Sequence, residues 1–66
     1  MKVNTDLLIS TLQSAHPTNA DVWEISGDLA DAKGLSTEAI RHYKKALKIE
    51  PNDLNLWLTV INREAK

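Results

Sequence analysis

Two prolines and two tryptophans, spaced alike, constrain this 66-residue chain more than any other feature. Pro17 and Pro51 lie 34 residues apart, and so do Trp23 and Trp57. Between each pair, PTNADVW matches PNDLNLW: proline, a polar pair, a small or aliphatic residue, Asp or Asn, an aliphatic residue, tryptophan. Agreement over seven consecutive positions marks an internal repeat. A fixed period of this length is the signature of stacked supersecondary units, each of which buries its apolar face only against a neighbour.

Within each unit the apolar pattern is helical. Asn4 or Thr5 can cap a first helix in which Leu8, Leu12 and Ala15 recur at helical spacing, with Leu7 and Ile9 alongside. Met1 to Val3 read as a frayed start. His16 should end this helix, because the residue before a proline is pushed out of the α region. Thr18 or Asn19 caps a second helix, and Thr18 with Asp21 has capping-box spacing. Its packing face is Ala20, Trp23, Gly27 and Ala30. Gly34 is placed to end it in a left-handed turn. Ser36 or Thr37 caps a third helix with inner residues Ala39, Ile40, Tyr43, Ala46 and Leu47, and Pro51 closes it. Asn52 or Asp53 caps a fourth with Leu54, Trp57, Val60 and Ile61 inside. The chain is expected to be all-α, with four helices near 5–15, 20–33, 37–50 and 54–65, each antiparallel to its neighbour.

Composition narrows the class. Hydrophobic content of 42% with 26% charged residues is that of a soluble globular domain and argues against disorder. A chain this short buries only about 60% of its unfolded surface. It has no cysteine to staple it or to hold a metal as thiolate. Support must come from helix packing, self-association or a larger parent protein. The net charge of −1 gives no reason to expect nucleic acid. No signal peptide is seen, and no apolar run is long enough for a membrane span. A cytoplasmic location is the resulting expectation.

The pattern resembles the tetratricopeptide repeat family, whose signature is W-x2-L-G-x2-Y, then A-x3-F, then P. Trp23, Gly27, Ala39, Tyr43 and Pro51 take the Trp, Gly, Ala, Phe and Pro places, and Gly34 and Ala46 fall where such repeats favour small residues. Ser26 and Ala30 depart from the Leu and Tyr places, which implies a lighter contact between the two helices. The resemblance implies one domain over 1–66: a degenerate half-repeat at 4–19, a full repeat at 20–53, and a half-repeat or capping helix at 54–66, anchored by Trp57. It further implies a helical-repeat superhelix whose first helices line a concave groove that holds a peptide.

Charge is segregated. Asp21, Glu24, Asp28 and Asp31 form an acidic stripe on the second helix; Arg41, Lys44, Lys45 and Lys48 form a basic one on the third. Both could be solvated faces, and the basic stripe suits the helix dipole. The acidic stripe gains nothing evident in stability, since like charges at helical neighbours cost roughly 0.2–0.5 kcal/mol per pair. By the resemblance, Asp21, Glu24, Asp28 and Asp31 line the groove beside Asn55, Leu58, Thr59 and Asn62. Some relatives grip the C-terminal carboxylate of chaperone tails with a clamp of Lys and Asn. Here Glu24 and Asp28 occupy two places of that clamp, so such acidic tails are not expected to bind.

Three function classes compete. The first is a non-catalytic adaptor or scaffold module whose groove prefers a basic peptide or protein. The second is a homo-oligomerisation module that stacks acidic against basic faces. The third, an enzyme, is disfavoured: His16 and His42 read as surface residues without a nucleophile or acid partner, and Ser10, Ser14, Ser26 and Ser36 sit in no elbow-like glycine context. A regular helix fans carboxylates out and does not converge them on a cation, so neither metal nor cofactor is expected. A DNA-binding helix-turn-helix has only the basic stripe for support, with no aromatic residue expected to be exposed among its charges.

Overall fold

A computed structural model describes residues 4–65, so the reading of Met1–Val3 lies outside the described residues. Four helices follow one another: α1 (Thr5–Ala15), α2 (Ala20–Ala32), α3 (Ser36–Ile49) and α4 (Leu54–Glu64). No strand occurs among the described residues. Each helix packs on the next, in a body of 38 × 25 × 14 Å. Contacts run in opposite sequence directions: Asp6 meets Lys33 and Gln13 meets Ser26, Trp23 meets Lys45 and Gly27 meets Tyr43, and Lys44 meets Glu64 while Lys48 lies beside Trp57. Neighbouring helices are therefore antiparallel, as short connections require.

The helix ends are set by local chemistry. Asn4, Asn19 and Asp53 cap α1, α2 and α4, each accepting a backbone N–H with its side chain. The expected Thr18–Asp21 capping box does not form, because Asn19 takes the Asp21 amide itself at 3.0 Å. α3 has no side-chain cap, contrary to the expectation for Ser36 or Thr37. The reason lies in the preceding turn. Gly34 adopts φ +78°, the Gly34 amide bonds Asp31 and the Leu35 amide bonds Ala30, a Schellman motif. That motif delivers the chain straight into α3, so Ser36 is already helical when a cap would be needed.

The internal repeat is present in atomic detail. The Trp23 indole N–H donates to the Pro17 carbonyl at 2.8 Å, and Trp57 does the same to Pro51 at 2.8 Å. The Asn19 amide donates to His16 at 3.2 Å and the Asp53 amide to Glu50 at 3.3 Å. The two proline turns are copies of one another.

The core joins α2, α3 and α4 through Trp23, Ala30, Ala39, Tyr43, Ala46, Leu47, Leu56 and Val60. Gly27 is needed here: a Cβ on it would lie 2.6 Å from Tyr43 Cε1, so its bare backbone makes room for the phenol ring. Ser26 does not weaken the α2–α3 contact as its departure from leucine implied. It turns toward α1, where it is buried, donates to the Val22 carbonyl and accepts from Gln13 Nε2.

Two inner faces differ from expectation. α1 buries no residue; Ile9, Leu12 and Gln13 are half-buried, while Leu8 and Ala15 are exposed. α4 buries Leu56 and Val60 and leaves Leu54, Trp57 and Ile61 exposed at 75%, 44% and 56%. The α4 helix has two apolar stripes. The Leu56 stripe packs on α3, and the Trp57 stripe lies largely open, bordered only at Trp57 by Lys44, Leu47 and Lys48 of α3.

Candidate partner-binding surface

The acids of α2 divide into two pairs. Asp28 accepts a hydrogen bond from the Tyr43 hydroxyl, and Asp31 forms an ion pair with Arg63 of α4. The Arg63 guanidinium also lies 5.5 Å from the centre of the Tyr43 ring. Asp28, Tyr43, Arg63 and Asp31 thus link three helices. Burial, then the Asp28 hydrogen bond and charge, push the Tyr43 phenol well above its ordinary range. Its bond to Asp31 pushes the Arg63 guanidinium up as well. The inference that the fold has no use for Asp28 and Asp31 is therefore corrected: both tie α2 to its neighbours.

Asp21 and Glu24 have no cation partner among the described residues. Asp21 stands where the two proline turns come together, and Glu24, one turn on, lies within the field of Asp53 there. A cleft of about 480 Å³ there is lined by Thr18, Asn19, Ala20, Asp21, Glu50, Asn52 and Asp53, with three carboxylates and no base. Glu24 registers the local field. Desolvation pushes its carboxyl above the usual range, and Asp53 of the second turn adds more than Asp28 or Asp21 on its own helix. On α4, Asn55, Leu58 and Asn62 are exposed and Thr59 is half-buried, its hydroxyl donating to the Asn55 carbonyl at 3.0 Å. At the far end, a hollow of about 620 Å³ is lined by Asp31, Ile40, Asn62 and Arg63 among others.

The basic stripe is also partly engaged. Lys44 pairs with Glu64 at 3.3 Å, and Lys45 Nζ lies 4.3 Å from the centre of a Trp23 ring. An exposed aromatic does lie among these charges, contrary to expectation: Trp57 shares a hollow with Lys44 and Lys48. His42 is not a plain surface residue. It is half-buried and stacked on Trp23 at 5.8 Å, and desolvation lowers its pKa. His16 is exposed, as are Ser10, Ser14 and Ser36.

Arg63 is the residue that sequence reasoning missed. It stands 34 positions after Leu29, on the stripe by which its helix packs. A guanidinium on a packing stripe needs an acid within reach, and that requirement was a usable signal. Comparison of the chain with protein-family models, with curated proteins and with solved structures returns no match. No helix among the described residues is long and apolar enough to cross a membrane.

Proposed function

We propose that the chain is a non-catalytic protein–protein interaction module of the tetratricopeptide-repeat kind, working as an adaptor or scaffold in the cytoplasm. It takes a basic peptide segment along the surface shared by α2 and α4. The 34-residue pairing of Pro17–Trp23 with Pro51–Trp57, down to the indole hydrogen bonds, supports the repeat assignment. One observation carries the choice of partner: carboxylates from two different turns converge on a single cleft without a cation among them. Such a site concentrates negative potential and attracts a positive segment. Recognition then rests on Asp21 and Glu24, with Asp53 and Glu50 opposite and the Asn55, Thr59 and Asn62 rim supplying hydrogen bonds.

Titration with a Lys/Arg-rich peptide at low salt tests the reading. Weak binding is expected, fading as added salt screens it. Asp21→Asn combined with Glu24→Gln should weaken it further. No binding at low salt would refute the proposal.

A further inference from the structure

The Leu54, Trp57 and Ile61 stripe of α4 lies one 34-residue period after Ala20, Trp23 and Gly27 of α2. The earlier stripe is covered by α3, which stacks His42 on Trp23 and sets Tyr43 in the space at Gly27. A second equivalence identifies a helix that fits the later one. α2 turns Ser26 and Leu29 toward α1; α4 turns Val60 and Arg63 toward α3, again one period on. So α1 stands to α2 as α3 stands to α4. The α3 residues over the Trp23 stripe, His42, Tyr43 and Ala46, correspond to Leu8, Ile9 and Leu12 of α1.

We propose that α4 binds α1 of a second copy of this chain, antiparallel, repeating the α2–α3 contact between molecules. Side-chain volumes fit the exchange. Within one copy Gly27 meets Tyr43; between copies Ile61 meets Ile9, and a small–large pair becomes two residues of middle size. The register that sets Tyr43 on Gly27 brings Ala20 level with Ile49, both packed against the core. Its intermolecular counterpart is Leu54 with Ala15, so the large and small partners change sides. α1 has surface to give: it buries no residue, and Leu8 is 49% exposed. Its one charged residue, Asp6, already pairs with Lys33, so α1 brings no unpaired charge to the contact. The contact is continuous with the α3–α4 packing and extends the same succession of helices.

This contact is heterologous, so each added copy leaves one α1 and one α4 face free at the ends, and growth continues. One helix pair is small beside the ~1,200 Å² that marks the low end of stable interfaces, so association depends on concentration. It uses a face separate from the acidic cleft. Burial of apolar surface drives it, and salt does not screen that force.

Sedimentation equilibrium of the intact chain, across concentration and at low and high salt, tests the proposal. The average mass should rise past that of a dimer, equally at both salts. Leu8→Glu blocks the α1 face and Leu54→Glu the α4 face. Both positions are exposed, and a negative charge in the first turn of α4 is tolerated by the helix dipole. Circular dichroism checks that each variant keeps its helices, and Leu8→Ser replaces Leu8→Glu if α1 does not. Each variant alone should stay monomeric, and an equimolar mixture should form a dimer, because each retains the face the other needs. A wild-type monomer at the highest concentration overturns the proposal. So does a Leu8→Glu variant that dimerises alone, a mixture that stays monomeric, or association that salt dissolves.

Discussion

Asp28 and Tyr43 offer the sharpest test of what the acidic stripe is for. Tyr43 is the chain's single tyrosine and is 1% exposed, yet its hydroxyl reaches Asp28 on the surface of α2. The perturbation is a double-mutant cycle of Tyr43→Phe and Asp28→Ala. A hydrogen bond to a charged group contributes about 1.5–3 kcal/mol. Asp28 is exposed, so water can replace the phenol and the coupling should fall to about 1 kcal/mol. A chain of this length has a total stability of roughly 3–10 kcal/mol. Loss of the bond should therefore lower Tm by about 4–8 °C, read by helical circular dichroism. Alkaline titration gives an independent reading. The unfolded phenol ionises near pH 10. The folded one is raised above that, so its contribution is whole below about pH 10 and is lost as pH climbs toward the folded value. Phenolate absorbance reports this residue alone. If Asp28 served only a partner, Asp28→Ala would relieve like-charge repulsion and raise stability by roughly 0.2–0.5 kcal/mol per pair. That gain in stability, or a tyrosine in the folded chain titrating at its ordinary value, would refute the reasoning.

Three further outcomes follow from the packing. Gly27→Ala gains about 1 kcal/mol of helix propensity but forces a methyl group against the buried Tyr43 ring. Overpacking of that kind costs about 1–3 kcal/mol, so denaturant melts should show a net loss. Trp23→Ala should cost about 3–5 kcal/mol. In the dilute, monomeric chain Trp57→Ala should cost about half as much, since that ring is already 44% exposed; the loss should approach that of Trp23→Ala where a second copy covers the ring. Glu24→Gln should stabilise the fold at neutral pH. A carboxyl whose folded pKa is raised favours folding below its unfolded pKa, and that contribution is lost as pH rises through the folded value. The gain from substitution should vanish in acid, and thermal melts across pH would show it.

Much of the fold was legible because the repeat and the helix punctuation agree. Pro17, Gly34 and Pro51 stop helices where propensity says they must, and Ala39, Tyr43 and Ala46 lie inward as the period requires. The departures in the inner faces share one cause. α1 and α4 each carry two apolar stripes, and periodicity alone does not say which stripe meets the rest of the chain. Leu54, Trp57 and Ile61 fit the period as inner residues beside Val60, yet Val60 shares the buried face with Leu56 and the other three stay exposed. The site was harder still. The cation nearest to Asp28 and Asp31 in sequence, Lys33, pairs instead with Asp6 of α1, and their own partners lie 15 and 32 residues away. Only tertiary packing brings the phenol and the guanidinium to them. What remained readable was the surplus at Asp21 and Glu24, which the convergence of the two turns intensifies.

The paired indole hydrogen bonds have a bearing on chain length. Each joins the ring of one helix to the turn that launches it, so a single side chain holds both the angle of the joint and, at Trp23, the seal of the core. Both joints have the same span from carbonyl to ring. Lengthening or shortening the chain by 34 residues would carry a whole joint with it and leave the angle of every remaining turn unchanged. An insertion of any other size between these joints would shift the later tryptophan against the face it has to meet. The joint thus acts as a ruler, and it defines the increment by which a chain of this kind can grow without being redesigned.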